Sequence, residues 1–410
     1  MNNIKKTYHL LKKSTNHADV MKKNKIIRFG TPYIGKDEIN AVKKVINSKW
    51  IGSGPITEKF ERRFKKYKKV KNCMSLNSCT AAMHLSLIAL GIKYGDEVIT
   101  TPLTFCSTIN SILLVGAKPV LVDINPETLN IDENKIKYKI TKKTKAIILV
   151  HFAGLPCNLK PILKLLKPHK IKIIEDCAHA IESKYYGKHV GNFGVTGCFS
   201  FYVTKNLTTG EGGMLISKRK RIFSRIRTMK LHGMTKDAWK RHLPNSITEK
   251  AKFEHYDVTE MGLKYNMIDI NASMGIVQLS KINKNWKLRK KIHNLYIKKL
   301  KNLPIIFQKI NPYPVKYAYH LFTIRINKNK SNKKRDDLVK FLKKKNIGIG
   351  INYRCVTDMT YYRKNLGWNN NTCKIAKLAG DNILSLPLHP AITKQNVIYI
   401  SEKISEFFKN

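Results

Sequence analysis

The chain is predicted to be an α/β protein, with a large domain on a mostly parallel sheet covered by helices and a smaller C-terminal α+β domain. Short β-rich runs that are continuously apolar alternate with helical stretches up to Ser217, the pattern of strands buried on both faces. From Leu303 onward a second, shorter set follows in the order strand, helix, strand, helix, helix. A length of 410 residues suffices for one large core and a smaller one.

Residues 1–24 are basic and match neither domain, so they read as an extension; the large domain is assigned to 25–285 and the small one to 286–410. Lys36–Ser48 and Thr57–Lys69 have helical periodicity, and Thr80–Leu90 is an almost wholly apolar helix. Strands are predicted at Glu97–Thr100, Pro119–Asp123, Ala146–His151, Ile171–Asp176, Gly197–Val203 and Gly213–Ser217. Asp269–Leu300 reads as a long helical region leaving the large domain. The small domain is then strand Leu321–Ile326, helix Asp336–Lys345, strand Ile347–Asn352, helix Thr372–Asn382 and helix Gln395–Phe408.

Lys and Arg number 78 against 27 Asp and Glu, a formal charge of +51. Such an excess points to nucleic acid or an anionic membrane when it is clustered. Here it is mostly Lys spread from end to end, with few runs such as Lys218-Arg219-Lys220-Arg221, which suits a solvated surface under compositional bias. No nucleic-acid or membrane partner is expected. The eight cysteines have no CxxC spacing, so no metal site is indicated, and most sit in apolar strings as reduced thiols do. No apolar run nears the ~20 residues of a membrane span, and the first 24 residues lack a signal-type apolar stretch. A cytoplasmic protein is expected.

Three polar groups lie just beyond predicted strands, where open parallel sheets bind ligands. They are Asp176 in Ile173-Ile174-Glu175-Asp176, Lys205 in Phe201-Tyr202-Val203-Thr204-Lys205, and Asn77-Ser78-Cys79-Thr80 at the start of the apolar helix. Singly, they read as a turn carboxylate, a solvated lysine and an N-cap. Jointly, they meet the needs of pyridoxal phosphate: an amine for its aldehyde, a carboxylate for its ring nitrogen, and helix-start amides for its phosphate. Phe105 follows the Glu97–Thr100 strand and can cover a ring. The turn Thr208-Thr209-Gly210-Glu211-Gly212-Gly213 is either a tight reversal or a place of close backbone approach.

The sequence resembles the DegT/DnrJ/EryC1/StrS family of nucleotide-sugar aminotransferases over about Ile26 to Phe408. The strings that carry the likeness are Ser200 to Gly213, Glu175 to Ala180, Asn77 to Ala82 and Tyr265 to Ile270. The resemblance implies the fold-type I architecture and pyridoxal 5'-phosphate as cofactor. It places Lys205 at the Schiff-base lysine and Asp176 at the carboxylate facing the pyridine nitrogen. His179 matches a position beside the cofactor oxygen, with a core or helix-surface histidine as the alternative. Phe105 matches the stacking aromatic, and Ser78, Cys79 and Ser200 match phosphate contacts. Asn266 matches an asparagine given to the phosphate by a neighbouring subunit, which implies a homodimer with its site at the interface. Arg241, His320, Tyr353 and Arg354 fall where relatives contact the sugar nucleotide, and for the two arginines an ordinary surface charge is the alternative.

Some relatives are sugar dehydratases with histidine in place of the lysine; this chain keeps Lys205, which favours transamination. The expected reaction moves an amino group from glutamate to the keto group of a nucleotide-linked sugar, with surface polysaccharide as the usual destination in the family. Two alternatives stay open: a different carbonyl substrate such as an inosose, or a basic nucleic-acid-binding protein on an inactive aminotransferase scaffold.

Overall fold

The structure, a computed structural model, describes residues 26–235, 256–310 and 313–409. Two helices lead: α1 (Lys36–Asn47) and α2 (Pro55–Lys68). Pro55 at the first position of α2 has its φ preset and no N–H to satisfy. The amides around it are met from far away, since the Asp269 carboxylate accepts from Gly54, Ile56 and Thr57 at 2.9, 3.1 and 2.8 Å.

The large sheet and its helices follow as β1 (Asn72–Leu76), α3 (Cys79–Ala89), β2 (Glu97–Thr100), α4 (Cys106–Leu114), β3 (Lys118–Leu121), β4 (Thr144–Val150), α5 (Leu159–Leu166) and β5 (Lys172–Asp176). After the short strands β6 (Lys184–Tyr185) and β7 (Lys188–His189) come β8 (Thr196–Ser200), β9 (Gly213–Ser217), α6 (Lys220–Met229) and the 32-residue α7 (Asp269–Leu300). The seven-stranded sheet has the order β1-β9-β8-β5-β4-β2-β3. Only β9 runs against the rest. Both faces are covered: Ile147, Leu149, Ile173 and Phe199 pack towards α2 and α7, while Ala146, Ile148, Ile174 and Cys198 pack towards α3 and α6. That two-sided burial is why these strands read as unbroken apolar runs.

The C-terminal part contains β10 (Ile305–Phe307), β11 (Val315–Lys316), β12 (Phe322–Ile326), α8 (Arg335–Lys344), α9 (Thr360–Leu366), α10 (Lys374–Asn382), β13 (Ile383–Leu386) and α11 (Lys394–Lys409). Here β12 pairs with β10 and β13, both antiparallel, over a core of Tyr296, Phe322, Ile324, Leu338, Leu384 and Ile400. Helix α7 gives Leu279 and Ile282 to the large core and Ile292, Tyr296 and Leu300 to the small one. A division at residue 285 therefore falls inside an uninterrupted helix. Ile27 bridges to Ile347, so the first described residues lie on the C-terminal part.

Two expectations need correction. Ile347–Asn352 is not a strand but makes two isolated bridges, Ile27 to Ile347 and Gly350 to Ser385. The two glycines of this segment let it pass too near Phe29 for a paired strand; a Cβ on Gly348 would sit 2.8 Å from the Phe29 nitrogen. Beside β12 lies β13, a strand the sequence reading did not assign, whose Ile-Leu-Ser-Leu follows directly on Gly380-Asp381-Asn382 at the end of α10. Finally, the predicted Gly197–Val203 strand ends at Ser200, because the Phe201 amide turns to Gly212 O and Lys205 N closes a turn on Tyr202 O. The basic run at 218–221 is the outer start of α6, which buries Ile226 and Met229 below. Among the described residues, no helix is long and apolar enough to cross a membrane.

Candidate active site

Because β2, β4, β5 and β8 run parallel, their carboxyl ends open on one sheet edge, and a cavity of about 500 Å3 lies there. Asp176 is the last residue of β5, and the alternation of a strand puts it and Glu175 on opposite sides. Glu175 is buried among the amides of Gly191, Phe193 and Gly194, at 2.7, 2.6 and 2.7 Å, and His151 Nε2 at 3.2 Å. It is a scaffold that fixes the strand end. His151, Glu175 and Cys177 lie close enough to hold a metal, but the glutamate's acceptor sites are already engaged. Asp176 lines the cavity and accepts from Thr108 Oγ1 at 3.0 Å and from the Ala178 amide at 3.1 Å. Burial pushes its carboxyl up; those two donors and the charge of Lys205 act against that.

Lys205 is held in the turn after β8 and lines the same cavity. Burial lowers its amine to about 8, with Asp176 pulling the other way. An amine so placed is neutral in an appreciable fraction at physiological pH, the state needed for condensation with an aldehyde or for taking a proton. The two groups on which the reading depends thus share one cleft.

The glycine turn brings the third group in. Gly210 takes φ +80°, a backbone state favouring glycine. A Cβ on Gly213 would stand 2.7 Å from Cys79 N and closer still to Ser78 C and O, so only glycine lets β9 begin against the start of α3. That start faces the cavity through Ser78, Cys79 and Thr80. Ser78 caps it by accepting from Ala81 N at 3.0 Å, and the helix dipole adds a positive bias there for an anion. The Cys79 thiol is pushed well up by burial and the Asp176 charge, so it stays protonated. Ser200, at the end of β8, lines the same wall.

Opposite stands an aromatic wall. His179 is buried and its Nδ1 accepts from the Ala153 amide at 3.2 Å, which leaves the Nε2 proton to Tyr353 Oη at 2.9 Å. Burial and the positive charge of Lys205 hold this imidazole neutral. Tyr353 therefore has its own hydroxyl proton to give. Its ring lies 5.8 Å from His179 in a stacked arrangement and 6.0 Å from Phe105. Phe105 is 56% exposed at the cavity mouth, unusual for a phenylalanine and apt for covering a planar ligand.

Of the remaining expected residues, His320 stacks on His179 at 4.3 Å and lines a smaller pocket shared with Lys205. Arg354 is exposed, donates to Asp358 O at 3.3 Å and lines neither space, so it reads as a surface charge. Asn266 is not in the cavity; its Nδ2 donates to Ser53 Oγ at 2.5 Å and its Oδ1 is buried without a partner. Arg241 lies outside the described residues. The sequence reading missed Thr108, in the first turn of α4, whose Oγ1 also meets Thr104 Oγ1 at 2.9 Å just before the helix. It also missed Asn206, Glu182 and Arg289, which meet only through folding and left no local mark.

The donor set fits pyridoxal phosphate: a depressed lysine amine, a buried carboxylate and an open helix start in one cavity. Fold and site together define an aminotransferase of the pyridoxal class. The profile of the DegT/DnrJ/EryC1/StrS aminotransferase family matches residues 32–405. The chain is 42% identical over 375 residues to the uncharacterized protein MJ1066 of Methanocaldococcus jannaschii, covering 92% of this chain and 96% of that one. It is 36% identical to the spore coat polysaccharide biosynthesis protein SpsC of Bacillus subtilis, covering 95% and 99%. Among solved structures, the putative sugar aminotransferase Spr1654 of Streptococcus pneumoniae in its PMP form superposes with a TM-score of 0.85 at 31% identity, covering 93% and 99%. The chain belongs to the DegT/DnrJ/EryC1/StrS aminotransferase family. It has the fold-type I architecture and is a pyridoxal-phosphate-dependent aminotransferase.

Proposed function

We propose that this enzyme moves the amino group of glutamate to the keto carbon of a nucleotide-linked sugar, for surface polysaccharide or a related glycan. The meeting of Lys205, Asp176 and the α3 start in one cavity carries the transamination part. Support for the sugar comes from the relatives, one named for spore coat polysaccharide biosynthesis and one as a putative sugar aminotransferase.

Pyridoxal phosphate, when bound, supplies an aldehyde and a ring that accepts the electron pair released at the carbon bearing the nitrogen. The Lys205 amine would hold that aldehyde and, when free and neutral, would take the proton from the donor's nitrogen-bearing carbon and deliver it to the carbon on the far side of that nitrogen. Lys205 lines both the cavity that holds Asp176 and the smaller pocket, so the same amine can serve both halves of the exchange. Asp176, held in aim by Thr108 and the Ala178 amide, would stabilise positive charge on the ring nitrogen. The amides of Cys79 and Thr80 with the Ser78 and Ser200 hydroxyls would hold the phosphate. Phe105 would cover the ring, and Tyr353, which accepts from neutral His179, keeps a hydroxyl proton to donate.

In this reading Asn266 serves the site of a second copy, so the active unit is a cytoplasmic homodimer, each chain of a large and a small domain. His320 and Tyr353 approach the sugar. The test is mass spectrometry of products after incubation with glutamate and a panel of UDP-, GDP- and dTDP-linked 3-keto and 4-keto sugars. Glutamate-dependent gain of an amino group is expected; amination of an inosose alone would replace the sugar-nucleotide reading.

A further inference from the structure

The chain leaves Lys205 through Asn206, and the Asn206 amide is engaged at both ends. Its Nδ2 donates to Glu182 Oε2 at 2.9 Å and to Ala318 O at 3.0 Å, while its Oδ1 meets His320 Nδ1 at 3.0 Å. Two acceptors can face only the NH2 end of an amide, so its orientation is fixed and His320 Nδ1 holds the proton in that contact. On the other flank, the Lys205 amide donates to Tyr202 O at 2.9 Å. The lysine backbone is thus bracketed, by a turn on one side and a side-chain anchor on the other.

That anchor has its own support. Glu182 is wholly buried in the link between β5 and β6, and its Oε1 accepts from Nη2 of Arg289, which is 2% exposed on α7. A buried carboxylate alone is costly, and Arg289 supplies the opposite charge. Replacing such a pair by apolar side chains often leaves stability unchanged, so folding by itself does not call for it. Neither member lines the cavity that holds Asp176; the pair reaches Lys205 through the second carboxylate oxygen and Asn206. The large domain's link, α7 and the loop before β12 meet at this one amide.

We infer that Glu182 is a positioning residue for Lys205: held by Arg289, its carboxylate fixes Asn206, and Asn206 fixes both the lysine's backbone and the proton on His320 Nδ1. The inference rests on Lys205 as the amine that takes the cofactor, and it is independent of which carbonyl substrate follows.

The test strips the full chain of cofactor and follows its uptake of pyridoxal phosphate by visible absorbance between about pH 6 and 10. The groups facing Lys205 are Asp176, Cys79, His179 and His320; burial keeps the thiol protonated and both imidazoles neutral. Only the neutral amine condenses with an aldehyde, so wild-type uptake is expected to reach half its plateau near pH 8. Glu182→Leu alone strands the Arg289 charge and is expected to lose folding. The deciding forms are therefore the double variant Glu182→Leu/Arg289→Met, which removes both charges, and Asn206→Ala, which keeps the pair. Both are expected to fold and to take up cofactor at least about tenfold more slowly at pH 8. Their half-plateau should move up towards the free-lysine value of 10.5, as the loosened turn lets water reach the amine. A merely structural role would lower the melting temperature and leave that profile in place. Wild-type uptake and profile in either variant overturns the inference, and Asn206→Ala decides it should the double variant not fold. A Lys205→Ala chain that gains the same visible band overturns the reading of Lys205 and this inference with it.

Discussion

Lys205 sits between two demands: burial strips its proton and Asp176 favours keeping it, and the balance falls at about 8. The neutral amine is the base, so the proton-transfer rate in the glutamate half-reaction is expected to climb as pH rises to about 8 and level above it. Single-turnover rates between about pH 6 and 9 check this, and a flat profile would contradict it. Lys205→Ala should remove both the visible absorbance of the cofactor-bound enzyme and its transaminase activity. Asp176→Asn keeps the shape but not the charge, so it should retain folding and lose roughly 100-fold or more in both half-reactions; a loss below about tenfold would show the carboxylate is dispensable. These residues were legible in the sequence because each follows a recognisable apolar strand. Arg289 and Glu182 were not, since their pairing spans 107 positions and neither stands in a distinctive local string.

At the scale of elements, the start of α3 is where sequence and site meet most tightly. Ser78→Ala removes a cap worth about 1 kcal/mol and should lower the melting temperature modestly, and weaken retention of the cofactor's phosphate, measured by dialysis against phosphate buffer. Gly213→Ala has no room for its methyl against Ser78 and should cost far more, with loss of cofactor binding even where the chain still folds. Helix α2 carries a different strain at its last residue. Lys68 is fully buried, with Nζ on Ile181 O at 3.1 Å and over the Phe199 ring at 4.4 Å, and burial lowers it to about 8. Its folded value lies below its unfolded one, so between about pH 8 and 10.5 the unfolded chain binds the proton more strongly and wild-type stability from this group rises with pH. Lys68→Met should therefore compare best with wild type below pH 8 and lose ground as pH rises towards 10.5, read from denaturant midpoints of the two proteins side by side. A constant difference across that window would show that Lys68 does not titrate there.

At the scale of the whole molecule, the outlying Asn266 gives the most direct test of the proposed dimer. Its Oδ1 is buried and unpartnered in a single chain, and it lies outside the cavity it is expected to serve. Chains bearing Lys205→Ala and chains bearing Asn266→Ala should each be inactive alone. Unfolded together and refolded, they should regain about a quarter of wild-type activity, since half of the dimers are mixed and each has one intact site. No recovery would mean that each chain completes its own site. Among the described residues, Lys205 is the one lysine or arginine that lines the cavity of this chain of net charge +51.

By itself the sequence determined the α/β class, the strand end that carries Asp176, the string that carries Lys205, the helix start at Ser78 and the family, because each is written in a contiguous string whose local period and turn chemistry suffice. Only the tertiary structure decided that Ile347–Asn352 crosses the N-terminal segment instead of joining a sheet, and that His179 Nε2 donates to Tyr353 Oη. It alone, too, gathered four unpaired polar atoms from α7 and the C-terminal loops beside Lys205. Those arrangements depend on which distant segments pack together, and hydrogen-bond partners separated by a hundred residues or more leave no trace in the spacing of either one.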